Sequence, residues 1–148
     1  MRFDQTKFLA DDVDLLADFY VEALDCEVVV GTREVEAAVS RAVGAPDATV
    51  TLNVLRLPGR GDHGPVLELY SLDGSRPEGW EYRAGQGQIA FEVDDLEEGI
   101  GRVVANGGTT LGEVVEWTGP SGAVARFVYL RDPEGNIIDL FQRVDGPS

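Results

Sequence analysis

The chain contains the run Asp132-Pro133-Glu134-Gly135-Asn136-Ile137-Ile138-Asp139-Leu140-Phe141, a turn followed by an apolar strand that carries one carboxylate, Asp139. Burying an ionised carboxylate among apolar neighbours is costly unless a cation or hydrogen-bond donors meet it. The earlier run Val66-Leu67-Glu68-Leu69-Tyr70 repeats the pattern with Glu68. Two acids in matching strands predict a duplicated site.

The size and charge of the chain limit what it can be. Its 148 residues suit one ordinary domain or two small halves with a shared core, and a hydrophobic content of 43% is enough to form that core. The net charge of −15 argues against binding to nucleic acid or to an anionic membrane, because both require a basic surface. We therefore expect a globular protein without either partner.

The chain shows no sign of export or membrane insertion. No apolar run approaches the roughly 20 residues of a membrane span, and the first five residues lack the apolar core of a signal peptide. The single cysteine, Cys26, excludes an internal disulfide framework and a cysteine-rich zinc site. We expect a cytoplasmic protein in which Cys26 is a small buried residue just after a helix.

The chain repeats itself. The segment Thr6–Asp14 aligns with Ile89–Glu97 at a constant offset of 83 residues (91 − 8 and 95 − 12). Each segment reads as a strand that ends in an acidic pair and opens a helix. Asp12 and Asp95 suit N-cap positions, where a carboxylate satisfies free N–H groups. The second helix is expected to end at Asn106-Gly107-Gly108.

Strand-like stretches follow each predicted helix. They are Glu27–Gly31, Thr49–Leu57 and Pro65–Ser71 in the first half, and Thr110–Val115, Val124–Arg131 and Asn136–Arg143 in the second. Each half therefore reads strand-helix-strand-strand-strand. We predict a single domain over residues 1–148, made of modules at 1–72 and 86–146 with a linker at 73–85. The segment Arg33–Val43 is either a short helix or an irregular excursion.

Strand alternation then assigns faces to the polar residues. Gln88 is expected on the side of its strand that no helix covers, and Gln5 is its equivalent at the offset of 83 residues. Both acids fall near the end of the last strand of their half. The repeat thus predicts a polar quartet of Gln5, Glu68, Gln88 and Asp139.

Three stretches of the chain resemble the vicinal-oxygen-chelate superfamily, the group of glyoxalases, bleomycin-resistance proteins and extradiol dioxygenases. They are Asp12–Tyr20, Ile89–Leu96 and Tyr129–Leu140, of which the last is the most specific. The resemblance implies an α+β fold of two β-α-β-β-β modules, whose curved mixed sheet surrounds a cavity. It also implies a homodimer and a small-molecule ligand.

In that superfamily the metal ligands come from the first and last strands of each module, which implies Gln5, Glu68, Gln88 and Asp139 in this chain. Many members have His where this chain has Gln. An all-oxygen set with two carboxylates suits Mg²⁺, Mn²⁺ or Ca²⁺ better than Zn²⁺, Ni²⁺ or Fe²⁺. The alternative is a metal-free polar cluster in which the amides satisfy the acids by hydrogen bonds.

The resemblance implies a glyoxalase-like lyase or isomerase, in which a divalent metal assists proton abstraction next to a carbonyl and Glu68 or Asp139 is the base. An acyl-CoA epimerase would use the same chemistry. The alternative is a non-catalytic protein that binds and sequesters a small molecule, as bleomycin-resistance proteins do. A two-His iron dioxygenase is excluded within one chain, because His63 is the single histidine.

Cationic side chains on the predicted strands have two interpretations. They either anchor an anionic group of the substrate or pair with surface acids. The residues are Arg56, Arg126 and Arg131. His63 lies in a predicted turn and is either an exposed loop residue or a proton carrier at the rim of the cavity.

Overall fold

A computed structural model describes residues 5–35, 47–61, 64–73, 89–118 and 124–144, with side chains for all of these except Trp117 and Thr118. In chain order these residues form β1 (Gln5–Leu9), α1 (Val13–Leu24), β2 (Glu27–Glu34), β3 (Thr49–Arg56), β4 (Val66–Asp73), β5 (Ile89–Glu92), α2 (Leu96–Ala105), β6 (Thr109–Thr110), β7 (Val115–Thr118), β8 (Val124–Arg131) and β9 (Ile137–Arg143). The chain divides into two units, the first with β1–β4 and most of α1, the second with α2 and β5–β9.

The first sheet has the strand order β1-β4-β3-β2, in which β1 runs parallel to β4 and the other neighbours are antiparallel. One face of this sheet buries its apolar residues completely: Leu55, Leu67 and Leu69. Because strand residues alternate, Glu68 and Tyr70 point to the other face, where both are only partly buried. We call this second face the open face of the first sheet.

Helix α1 forms because its sequence supplies both a cap and an apolar stripe. The Asp12 carboxylate accepts a hydrogen bond from the Leu15 N–H at 2.9 Å, which satisfies a free donor of the first turn. The buried side chains recur at helical spacing: Leu16, Phe19, Tyr20 and Ala23. The centres of the Tyr20 ring and the Phe8 ring on β1 are 6.2 Å apart. This contact packs the helix against the buried face of the sheet.

The end of α1 places the single cysteine in the core. Asp25 adopts the left-handed conformation (φ 54°) that ends the helix. Cys26 follows with 3% of its surface exposed, and burial raises the pKa of its thiol to about 12. The expectation of a small buried residue after a helix is confirmed.

The second sheet has the strand order β5-β9-β8-β6, and β7 also pairs with β8. Strand β5 runs parallel to β9, as β1 does to β4. The Asp95 carboxylate caps α2 by accepting from the Glu98 N–H at 2.9 Å. Gly107, with φ 92°, follows the C-cap of α2. Both predicted caps and the predicted helix end are confirmed.

A tight turn joins β8 to β9 and fixes their register. The buried Asp132 accepts hydrogen bonds from the backbone N–H groups of Glu134 (3.0 Å) and Asn136 (2.9 Å), and also from the Asn136 side-chain amide (2.8 Å). Gly135 supplies the positive φ of 91°. This turn aligns Tyr129 opposite Asp139 on the neighbouring strand.

The predicted order of strand, helix and three strands is confirmed for the first half, and the second half follows it with one strand divided in two. The α+β fold of two β-α-β-β-β-like modules with mixed sheets is thereby confirmed. One strand differs from its prediction. Residues 110–115 do not form a single strand, because the chain leaves regular pairing around Gly112 and returns as β7. Both pieces pair with β8, so the sheet keeps its order.

Several predictions concern segments that lie wholly or partly outside the described residues. Of the segment Arg33–Val43, the first two residues extend β2, and residues 36–43 lie outside the described ranges. Residues 74–85 of the predicted linker also lie outside them, so the division into modules at 1–72 and 86–146 stays a prediction. Within the described ranges, no helix is long and apolar enough to cross a membrane.

Candidate functional site

Polar side chains gather on the open face of the first sheet. The pairing of β1 with β4 sets Lys7 beside Glu68 and Gln5 beside Val66. Because β1 also alternates, Gln5 and Lys7 point to the same face as Glu68. The sequence therefore brings an amide, an ammonium group and a carboxylate together across two adjacent strands.

Both oxygens of the Glu68 carboxylate accept a hydrogen bond from these neighbours. The Lys7 ammonium donates to Oε1 at 2.6 Å, and the Gln5 amide nitrogen donates to Oε2 at 3.2 Å. The Glu68 side chain retains 12% of its exposure, whereas that of Lys7 retains 46%. The pair is thus partly shielded from water, where a charge-assisted hydrogen bond is stronger than at a free surface.

Farther along the same face the surroundings become apolar. Tyr70, next to Glu68 on this face, packs with Leu9 against a small buried cluster that includes Val50 and Leu72. Burial, and after it the negative charge of Glu68, raises the pKa of the Tyr70 phenol. The open face of the first sheet thus passes from a charged end to an apolar end.

Asp139 occupies the matching position in the second unit. It lies on β9 between Ala90 on β5 and Tyr129 on β8, on the face opposite the fully buried Ile138 and Leu140. We call this face the open face of the second sheet. Its Oδ1 atom is buried, yet it has no hydrogen-bond partner among the residues that the structure describes. Burial raises the pKa of the Asp139 carboxyl.

Aromatic rings flank this carboxylate. The register of β8 and β9 places Phe127, Tyr129 and Phe141 on the same face as Asp139. The rings of Phe127 and Tyr129 pack edge to face, with their centres 5.9 Å apart. Of the Tyr129 surface, 36% is exposed. The Arg143 guanidinium lies 5.7 Å from the centre of the Phe141 ring. A half-buried aromatic surface therefore flanks an acceptor that has no donor in the described part of the chain.

The predicted quartet divides into parts with different outcomes. Gln5 and Glu68 are brought together by the pairing of β1 with β4. Asp139 lies on the open face of its own sheet, as strand alternation predicted. Gln88 lies outside the described residues. The role of the four residues as metal ligands stays a prediction.

Lys7 was not among the site residues predicted from the sequence. The signal was available, because Lys7 follows Gln5 by two residues in a predicted strand and therefore shares its face. Its contact with Glu68 depends on the register of β1 against β4, which no local pattern supplies.

Each of the three arginines has a partner in the structure. These partners bear on whether the arginines anchor a substrate or pair with surface acids. Arg56 pairs with Glu27 at 3.1 Å, and Arg126 forms an ion pair with Glu97. Arg131 donates to the backbone carbonyl of the turn at Gly135 at 2.9 Å. Pairing with surface acids is therefore confirmed for Arg56 and Arg126. His63 lies outside the described residues.

Comparison with known proteins identifies the family. The sequence model of the glyoxalase-like domain family matches residues 4–141, which is nearly the whole chain. The chain belongs to the glyoxalase-like domain family. This places it in the vicinal-oxygen-chelate superfamily, as the three sequence stretches implied. The superfamily includes enzymes, and its members bind small molecules.

Solved structures share this fold. A glyoxalase family protein from Bacillus cereus superposes with a TM-score of 0.77 at 22% identity, covering 98% of this chain and 95% of that chain. The trypanothione-dependent glyoxalase I of Leishmania major gives 0.66 at 24% identity, covering 96% and 86%. A glyoxylase/bleomycin resistance protein/dioxygenase domain from Frankia gives 0.66 at 17% identity, covering 97% and 98%. No curated protein matches in sequence.

Members of the superfamily often depend on a metal, so the donor set must be tested against one. A divalent cation at Glu68 would have to compete with the Lys7 ammonium at Oε1 or with the Gln5 amide at Oε2. In the described part of the chain, no group of three or more His, Cys, Asp or Glu residues could hold a metal ion. The described residues around Glu68 thus supply a single carboxylate that is already paired with an ammonium group, which is a poor donor set for a divalent cation.

Proposed function

We propose that this glyoxalase-like protein binds a small organic molecule on the open face of the second sheet, without a metal in the binding step. The observation that carries the proposal is the buried Oδ1 atom of Asp139, which lacks a donor among the described residues. An unsatisfied buried acceptor costs free energy, roughly 1–3 kcal/mol. A ligand that donates an N–H or O–H group to it would remove that cost.

The surroundings of Asp139 define the kind of ligand. Phe127 and Phe141 are partly buried, and Tyr129 is exposed enough to contact a bound molecule. Such rings favour a flat apolar group, while the Asp139 carboxylate orients it through one polar contact. The proposal is thus an apolar or aromatic molecule with a hydrogen-bond donor. It corresponds to the sequestering role considered from the sequence.

A screen of small molecules by thermal shift tests this proposal, using protein treated with EDTA. Compounds that bind are expected to raise the Tm of the wild type and to act less on Asp139→Asn, because the neutral amide keeps only one acceptor oxygen and loses the charge that strengthens the hydrogen bond from the ligand. Glu113→Gln is the matched control, since it removes the same charge from an exposed position. Equal binding by Asp139→Asn and the wild type would place the ligand elsewhere.

A second candidate, an enzyme of the lyase or isomerase type, is favoured by the raised pKa of Asp139. A base with a raised pKa removes protons more readily near neutral pH. The carboxylate would take the proton from the carbon next to a carbonyl, and the C–H electrons would form an enolate. An isomerase or epimerase returns the proton to carbon, whereas a lyase expels a leaving group. Glu68 is less accessible to a substrate, because both of its oxygens already accept hydrogen bonds.

Turnover distinguishes the two candidates. A panel of 2-oxo compounds, α-hydroxythioesters and acyl-CoA esters would be incubated with the protein, and the products followed by mass spectrometry. Catalysis that disappears in Asp139→Asn and persists in Glu113→Gln would identify the enzyme. Stoichiometric binding without product would identify the sequestering protein. Light scattering on the same samples tests the predicted homodimer, which requires twice the monomer mass.

A further inference from the structure

We infer that the Lys7 ammonium takes the place of a divalent cation at Glu68, so that the polar set of the first sheet is complete without a metal. This concerns a cation site of the first sheet and goes beyond the proposed ligand binding on the second. It rests on three residues of β1 and β4: Gln5, Lys7 and Glu68.

Each oxygen of Glu68 already accepts a hydrogen bond from a neighbour on β1. Lys7 is the register partner of Glu68, and its Nζ atom lies 2.6 Å from Oε1. Gln5 presents its amide nitrogen, rather than its oxygen, to Oε2 at 3.2 Å. An ionised carboxylate only accepts hydrogen bonds, so this orientation of the amide satisfies Glu68. It also directs toward Glu68 the amide nitrogen, which cannot ligate a hard cation.

The charge of the set also opposes a metal. The ammonium of Lys7 neutralises the carboxylate of Glu68, and the Gln5 amide carries no charge. Hard divalent cations require carboxylates whose negative charge is available. A metal bound at Glu68 would also lie close to the ammonium, in surroundings that are only partly hydrated, where like charges repel more strongly than in water. Lys7 therefore excludes the cation and supplies a fixed positive charge in its place.

Metal binding by charge-matched variants tests the inference. Full-length wild type, Lys7→Met, Glu68→Gln and the double variant Lys7→Met/Glu68→Gln would be stripped with EDTA. Each would be titrated with Mn²⁺ alone at about 0.15 M ionic strength, which screens diffuse attraction by the acidic surface. Free Mn²⁺ would be measured by electron paramagnetic resonance. Circular dichroism would verify folding, and Lys7→Gln replaces Lys7→Met should that variant fail to fold.

We expect no stoichiometric Mn²⁺ binding by the wild type. Lys7→Met should bind Mn²⁺ about tenfold or more tightly than the wild type, which is within the range by which neighbouring groups alter metal affinity. The double variant should lose that gain. Arg143→Met is the matched control, because it removes a positive charge from an exposed ion pair with Glu92 (2.8 Å) and should gain nothing.

Two results would overturn the inference. One is stoichiometric Mn²⁺ binding by the wild type that Glu68→Gln abolishes, because Lys7 would then not exclude the metal. The other is folded Lys7→Met without any gain over Arg143→Met, because the exclusion would then have another cause. Neither result depends on ligand binding by Asp139, so the two proposals fail separately.

Discussion

Burial and hydrogen bonding conflict at Asp139. Its Oδ1 atom is buried and lacks a donor among the described residues, while Glu68 on the other sheet has a donor for each oxygen. Residues that break a local rule of burial or hydrogen bonding are expected at functional or strained sites. The two acids of the repeat therefore have different chemistry despite their equivalent positions.

Replacing Asp139 by Asn is expected to stabilise the free protein at pH 7. The pKa of Asp139 is raised in the folded state, so the folded protein binds this proton more tightly than the unfolded chain does. The stabilising contribution of Asp139 is therefore complete below its ordinary pKa of 3.8 and is lost as the pH rises through the raised value. We expect a gain for Asp139→Asn on the order of 1 kcal/mol at pH 7.

Urea unfolding of both proteins from pH 8 downward measures this gain. The difference between Asp139→Asn and the wild type should shrink as the pH falls toward the ordinary pKa of the carboxyl. Glu113→Gln should show no comparable change. A loss of stability in Asp139→Asn at pH 7 would mean that the ionised carboxylate has a stabilising partner.

Residue-level prediction from the sequence succeeded where a local pattern decides the outcome. Alternation along the last strand of each half placed Glu68 and Asp139 on the open faces. It did not predict that Lys7 would pair with Glu68, because that contact is set by the register of two strands separated by about 60 residues of chain.

At the scale of elements, helix α2 packs closely on its sheet at one glycine. A Cβ atom at Gly99 would lie 3.2 Å from Leu140 Cδ1 and 3.5 Å from Val93 Cγ1, and Leu140 is fully buried. A Cβ atom at Gly101 would meet nothing within 4 Å. The same residue type in the same helix thus has two different environments.

These glycines form a matched pair of tests. Gly101→Ala should stabilise the protein by about 0.5–1 kcal/mol, because it removes the entropy cost of glycine in a helix. Gly99→Ala has the same benefit but overpacks the core, and we expect a net loss of roughly 1 kcal/mol. Thermal unfolding measures both. Equal gains at the two positions would show that the contact with Leu140 is loose.

Element boundaries were predicted best where capping residues mark them. Asp12, Asp95 and Gly107 each fulfilled the role that their chemistry favours. The break between β6 and β7 was not predicted. The residues around Gly112 are exposed, so no apolar pattern marked the interruption, and both pieces keep their pairing to β8.

For the whole molecule, an internal repeat predicted the fold more securely than any single motif. The offset of 83 residues joined two strands, two helices and two caps into one scheme, and the family match over residues 4–141 confirms that scheme. Solved relatives at 17–24% identity share the fold alone. Function depends on a few side chains on that fold, which is why Lys7 and Asp139 carry more information than the family name.

The most direct test of ligand binding without a metal is a two-dimensional ¹H–¹⁵N NMR titration of EDTA-treated protein with a compound from the thermal-shift screen. The account predicts shift changes concentrated in residues 127–129 and 137–141, in the absence of any added metal, and their loss in Asp139→Asn. Shift changes that arise only after Mn²⁺ is added, or that persist unchanged in Asp139→Asn, would contradict it.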